Sequence, residues 1–363
     1  MKILHISGAK GWGGNEQQII DIIPQLEKLN IENTILCYSN SEISSKAKNF
    51  SIPTIEIKSK KLNSLSAIRK NFNEIIKISP DIIHLHTSDS LTFFVISDLL
   101  YRYKKHNIKV VFSKKGLGNS SSFLSKIKYN YSVLDRIICV SKAVEIGFGK
   151  IIKDKKKLIT IYDGINIDRL NINSDVNKTN TSKEYQIVNI ANHVSAKDLL
   201  TLLKSINYLV NEIKFKDFKI TQYGSFNKKI TPELIQYVKD HNLENHIKFE
   251  GFTANAYNKI SNFDCYIMSS EREGLPLTIY EAFFYKIPVI TTNAGGIPEI
   301  VKHKETGLIC EVKDFKKLAE NIKELIESNE LRVKIIKNAH EILINSFTTT
   351  TTAEKYKKLY EEL

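Results

Sequence analysis

Short apolar runs alternate with stretches of helical periodicity along nearly the whole chain, and that alternation limits the fold more than any other feature. Strand-like runs fall at 2–7, 34–38, 81–86, 109–113, 136–141, 186–191, 218–223, 246–252, 265–268, 287–291 and 307–311. Helix-compatible stretches lie at 15–29, 64–78, 90–105, 142–152, 196–211, 232–241, 316–328, 330–344 and 353–363. In the first of these, Ile19, Ile22, Ile23, Leu26 and Leu29 recur at helical spacing. Strands alternating with helices require right-handed crossovers and a largely parallel sheet, the α/β class, and ligands then gather at the carboxyl ends of the strands. At 363 residues the chain is comfortable for two such domains. The polar, apolar-poor stretch 171–184 marks the boundary, giving domains 1–168 and 169–345, with 346–363 as a terminal helical segment.

The formal net charge of +13 points to nucleic acid, an anionic membrane surface or an acidic substrate, or simply to the abundance of Lys, Ile and Asn throughout. The positive charge is not gathered in a recognised nucleic-acid module, so nucleic acid is not expected as a partner. Cys37, Cys139, Cys265 and Cys310 are far apart and lie in apolar runs, which reads as buried hydrophobes in a reducing compartment. The N-terminus enters a strand at once, and the apolar run 91–100 is too short to span a bilayer. The expected location is cytoplasmic, or peripheral on the inner face of the plasma membrane.

The densest chemistry lies in 269–299, SSEREGLPLTIYEAFFYKIPVITTNAGGIPE. A strand ends in a polar turn, Pro276 suits the opening of a helix, and a second strand follows. A helix N-terminus offers backbone N–H groups to a phosphate, while Glu273 before the helix and Glu281 within it can accept hydrogen bonds from sugar hydroxyls. That pattern suits a sugar nucleotide. A second glycine-rich turn, 8–14, sits between the first strand and helix, where Gly13 and Gly14 allow close backbone approach to a phosphate or make only a tight turn.

The E-x7-E within SSxxEGLPLTIYEA, followed by PVITTNAGGIPEIV and ETGLI, resembles the retaining GT-B glycosyltransferases of family 4, the glycosyl transferases group 1. Weaker likenesses extend it: GGNEQQI, PDIIHLHTSDS, DRIICVSKA, LITIYDGINIDRL, ANHVSAKD and HIKFEGF. The resemblance implies two Rossmann-like domains facing across a cleft, with the C-terminal helix crossing back onto the N-terminal domain and the threonines 348–352 as hinge. It implies transfer of a sugar from a nucleotide diphosphate sugar, UDP-sugar foremost, to a glycan or lipid-linked acceptor in bacterial surface polysaccharide synthesis.

The resemblance also assigns positions. Glu273 meets the transferred sugar, Glu281 the ribose, and the backbone of Gly274, Leu275, Pro276 and Leu277 the phosphate and sugar. Lys197 contacts the diphosphate, and Phe252 stacks near the base or packs in the core. His86 orients the acceptor hydroxyl or contacts the sugar, with His84 packed beside it. In the loop 114–122, Lys114 and Lys115 meet a phosphate or are merely solvated. Three positions depart from the family pattern. Asn192 stands where a diphosphate-binding Arg is usual, Asp163 replaces an Asn before Gly164, and Lys286 replaces a Gly and must tolerate that turn's backbone angles.

Fixed N–H dipoles and a lysine can stabilise a departing diphosphate, so neither metal nor other cofactor is expected. No D-x-D stands at a strand end, and Asp89, Asp98 and Asp163 lie apart from other carboxylates. A front-face route, in which the departing phosphate takes the acceptor's proton, accounts for retention without a paired nucleophile. A nucleotide-sugar epimerase of the same fold and a non-catalytic sugar-nucleotide-binding partner remain as alternatives.

Overall fold

The computed structural model describes residues 1–59, 61–118, 122–171 and 184–363, so most of the expected boundary stretch 171–184 lies outside the described residues. The chain forms two compact units, Met1–Asn166 with Thr348–Leu363, and Ile167–Phe347.

The first unit holds seven strands: β1 Lys2–Ile6, β2 Glu32–Tyr38, β3 Thr54–Ile57, β4 Ile82–Leu85, β5 Lys109–Lys114, β6 Arg136–Cys139 and β7 Leu158–Thr160. They pair in parallel in the order β3-β2-β1-β4-β5-β6-β7. The second unit holds β8 Tyr185–Ile190, β9 Phe218–Tyr223, β10 Ile247–Gly251, β11 Cys265–Met268, β12 Val289–Thr292 and β13 Leu308–Cys310. Their order is β10-β9-β8-β11-β12-β13, again parallel throughout. Strand order therefore reverses twice, beside β1 and β4 and beside β8 and β11. At such a point the loops leaving adjacent strand ends diverge and open a crevice. Strands β4, β11 and β12 are buried at every residue, as parallel strands covered on both faces must be.

Four thiols expected in the interior are there: Cys37, Cys139, Cys265 and Cys310 are all buried and unpaired. At Thr348 the chain rejoins the first unit. Ile165 accepts from the amide of Thr349 at 3.0 Å, and a Cβ on Gly164 would lie 2.1 Å from the Thr348 carbonyl oxygen, so only glycine admits the returning strand of chain. The threonines do not form a hinge. Thr348 caps the helix Thr349–Glu361 in a capping box with Thr351, because consecutive hydroxyls can satisfy the orphan amides of a first turn. Tyr356, Leu359 and Tyr360 of that helix share a core with Ile3, Ile19, Ile22, Ile23 and Ile35.

Two expectations of loop chemistry change in three dimensions. Lys115 is half-buried in the first unit, its Nζ 2.5 Å from Asp163 Oδ1. Burial alone would lower its pKa, but the Asp163 charge and hydrogen bonds to Asp163 and Tyr356 leave it raised. Lys114 ends β5 with its ammonium over the rings of Tyr129 and Phe148. Both lysines are thus engaged within the chain and not merely solvated, and Asp163 supplies a counter-charge that an Asn could not.

Lys286 adopts the left-handed angle that its turn demands, φ 57. A Cβ in that region is strained, and glycine relieves it at some cost in unfolded-state entropy. Lys286→Gly is expected to stabilise the protein by about 0.5–1 kcal/mol, read as a rise in thermal midpoint; a fall would mean the Lys286 side chain contributes more than its backbone costs.

Candidate functional site

In the second unit, β8 and β11 are neighbours at the order reversal, and the loops that follow them are tied together. The Ala196 carbonyl accepts from the amides of Glu271 (2.9 Å) and Arg272 (3.2 Å), and the Ser269 hydroxyl donates to the carbonyls of Lys197 (3.2 Å) and Asp198 (3.0 Å). The helix expected from 196 begins later. Ser195–Lys197 is a tight turn, and Asp198 at φ 41 caps the helix Leu199–Asn207. Lys197 therefore stands in the turn, with Nζ 2.6 Å from Glu273 Oε1. Two residues 76 positions apart are brought into contact.

Pro276 precedes the helix Leu277–Phe284 as its cap residue, and no side chain caps that end. A proline cap has no N–H of its own, and no acidic residue occupies the first turn, so the amides that follow retain their attraction for an anion. Gly274, Leu275 and Pro276 are buried on the approach, and the Gly274 carbonyl accepts from the amide of Gly296 at 3.1 Å. Glu281 lies on the same helix, 4 % exposed, and its Oε1 is 3.3 Å from Nη2 of Arg169. Arg169 in turn lies over the Tyr257 ring at 4.4 Å. Arg169 was not foreseen, because nothing in INIDRLN shows what it meets 112 positions later.

Asn192 uses its side-chain oxygen to accept from the Ser225 amide at 2.8 Å, joining the loops after β8 and β9. These approach so closely that a Cβ on Gly224, φ +155, would sit 1.9 Å from the Ala191 carbonyl oxygen. His193 is buried beneath, bonded to Thr231 (2.8 Å) and Gln222 (2.9 Å). Phe252 is 75 % exposed, which rules out the core-packing alternative for it.

In the first unit, the amide-rich turn expected to cradle a phosphate has a different content. Gly13 precedes the helix Gly14–Lys28 and Gly14 opens it, but Glu16 is buried in the first turn. Its carboxyl is raised by burial, against hydrogen bonds from Asn15, its own amide and Ser7. A first-turn carboxylate offsets part of the helix-start attraction for an anion at this end. His86 follows β4, 5 % exposed, its ring stacked 4.1 Å from that of His84. His84 is fully buried between the Tyr360 hydroxyl and Ser113, both at 2.7 Å. His5, also fully buried, completes a group of three imidazoles. Among the described residues no helix is long and apolar enough to cross a membrane.

Comparison with known proteins agrees on the class. The pattern of Glycosyltransferase Family 4 matches residues 12–169, and that of Glycosyl transferases group 1 matches 171–342. The chain belongs to the family 4 GT-B glycosyltransferases. It is 25 % identical to N-acetyl-alpha-D-glucosaminyl L-malate synthase of Bacillus anthracis over 78 % of this chain and 75 % of the relative. It is 23 % identical to the O-antigen biosynthesis glycosyltransferase WclY of Escherichia coli over 100 % and 99 %. A glycosyltransferase from Rickettsia africae superposes with TM-score 0.85 at 22 % identity, covering 99 % of this chain and 98 % of its own. HepE from Anabaena, crystallised with UDP and glucose, gives TM-score 0.85 at 19 % identity with full coverage of both. These structures share the GT-B fold with the glycosyltransferase described here.

The buried Arg169–Glu281 pair of this glycosyltransferase carries a stability consequence. Removing one member of a buried ion pair leaves the other charge desolvated, at about 3–5 kcal/mol. Arg169→Met is expected to destabilise the second unit by about 3 kcal/mol in urea unfolding, and Arg169→Lys by less. A loss under about 1 kcal/mol would show that Glu281 is held by other groups.

Proposed function

We propose that the protein is a retaining, metal-independent transferase that moves a sugar from a nucleotide diphosphate sugar, in the first instance a UDP-sugar, to a glycan or lipid-linked acceptor in the synthesis of a bacterial surface polysaccharide. The carrying observation is the Lys197–Glu273 contact beside an uncapped helix N-terminus, at the strand-order reversal of the second unit. In this reading Lys197 and the amides around Leu277 take the diphosphate, Glu273 the transferred sugar and Glu281 the ribose hydroxyls. The backbone from Gly274 to Leu277 borders phosphate and sugar, and the exposed Phe252 offers a face to the base. Asn192 contributes polarity without charge.

Departure of the sugar builds negative charge on the diphosphate, which a lysine and fixed amide dipoles stabilise without reorganising. The released phosphate oxygen then takes the acceptor's proton on the same face, and His86 contacts a substrate hydroxyl. The relatives' descriptions support a UDP-sugar donor and a glycan product: HepE with UDP and glucose, and an O-antigen biosynthesis glycosyltransferase at full length.

Docking to an anionic membrane surface is part of the proposal. The helix Phe123–Tyr129 leaves Phe123 and Leu124 77 % exposed and Ile127 51 % exposed, with Lys126 exposed beside them. Apolar side chains with adjacent lysines suit an acidic lipid interface.

UDP-, GDP-, ADP- and CMP-sugars can be screened for thermal stabilisation and slow hydrolysis. A UDP-sugar is expected to respond, with Lys197→Ala and Glu281→Gln each weakening it by about 1–3 kcal/mol. Unchanged donor affinity in both variants removes the site assignment, and a glycosyl group trapped on an Asp or Glu overturns the front-face route. On vesicles, sedimentation with phosphatidylglycerol and not with phosphatidylcholine is expected, weakened about tenfold by Phe123→Ser with Leu124→Ser. Equal sedimentation of variant and parent would exclude this helix as the docking element.

A further inference from the structure

The three histidines of the first unit form one ordered hydrogen-bond chain whose protons can be placed. Asn33 donates from Nδ2 to the Ile31 carbonyl at 2.7 Å, which turns its Oδ1 toward Nε2 of His5 at 3.0 Å. An amide oxygen only accepts, so His5 carries a proton on Nε2. Burial lowers the His5 pKa to about 4, so the ring holds one proton and its Nδ1 is bare. That bare nitrogen lies 2.9 Å from Nε2 of His86, which must therefore be the N–H donor.

His86 is kept neutral as well, by burial first and then by His84, His5 and Lys115. Its Nδ1 is consequently bare. That atom is buried and has no hydrogen-bond partner among the described residues, whereas each of the other five ring nitrogens of the group has one. The nitrogens approach within 4.8 Å of one another, and the 2.9 Å separation of His5 Nδ1 and His86 Nε2 is a hydrogen-bond distance, so the group is read here as a hydrogen-bond network.

We propose that Asn33 and His5 are positioning residues that fix His86 as the Nε2–H tautomer, so that its Nδ1 accepts a hydrogen bond from a substrate hydroxyl. This rests on the reading that His86 contacts substrate. A bare imidazole nitrogen attracts an O–H and repels the oxygens of a phosphate or carboxylate. The sheet makes the arrangement possible: His5 pairs in register with His84 across β1 and β4, and Asn33 reaches the same face from β2.

The tautomer is read directly by long-range proton–nitrogen NMR of the full chain labelled with 15N-histidine, the His86 signals being those lost in His86→Ala. One protonated and one bare nitrogen are expected for His86, with the proton on Nε2; a proton on Nδ1 overturns the proposal. Treatment with a chelator is expected to leave the spectrum unchanged, and a change would assign the group to a metal instead. Addition of UDP-glucose, UDP-galactose or UDP-N-acetylglucosamine is expected to move the bare Nδ1 signal, and inorganic phosphate is not. Response to phosphate alone, or to none of the three sugars, overturns hydroxyl recognition even where donor binding by the second unit is intact.

Two variants test positioning against mere packing. In His5→Gln the amide still accepts from His86 and donates to Asn33, so tautomer and turnover are retained. In His5→Leu the acceptor is gone, the tautomers mix, and kcat/KM for the UDP-sugar falls about tenfold, the worth of one hydrogen bond. Equal kcat/KM in both variants, with the tautomer altered in only one, overturns the role.

Discussion

The pairing of β8 with β11 is the constraint from which the donor-side chemistry follows. These strands are 78 positions apart where Asn189 meets Ile267, yet as parallel neighbours at an order reversal they deliver their following loops to the same edge. Once there, the loops bind each other through main chain: one carbonyl, Ala196, takes two amides of the opposite loop. The Lys197–Glu273 contact is a product of that backbone arrangement, with neither side chain obliged to search for the other. Preorganisation of this kind spares a ligand the ordering cost that two free loops would impose.

Each carboxylate of the E-x7-E pair faces a cation from elsewhere in the same unit, Glu273 facing Lys197 and Glu281 facing Arg169. Neutralised in pairs, they leave the uncapped start of Leu277–Phe284 as the positive feature of the loop edge. A phosphate meeting Lys197 must share it with Glu273. The missing arginine at Asn192 then becomes intelligible in part: its amide joins two loops by holding the Ser225 amide, a task that a guanidinium, with donors only, could not perform.

What the sequence made legible was periodic or local. Alternation of apolar runs and helices gave a parallel α/β chain, and the strand ends at Phe218–Tyr223 and Cys265–Met268 fell where the apolar runs stop. The odd lysine at 286 was legible too, since the turn asks for a positive φ whatever residue fills it. The edge strand Thr54–Ile57 escaped notice because four residues, three half-buried and one buried, carry too short a pattern. The threonine run was misread because composition suggests a linker while spacing suits a helix cap. Arg169, Asn33 and His5 were invisible for a different reason. Their partners come from other strands and helices, so their chemistry depends on contacts that no local pattern encodes.

The two order reversals are furnished with opposite chemistry. Beside β1 and β4 stand a carboxylate in the first turn of a helix and three imidazoles that burial keeps uncharged. Beside β8 and β11 stand a lysine and a helix start free of acidic residues. The helix start free of acidic residues favours an anion at the second edge, and the first-turn carboxylate disfavours one at the first. A neutral polyol meets the reverse preference, because bare nitrogens and carboxylates accept from hydroxyls and gain nothing from a phosphate.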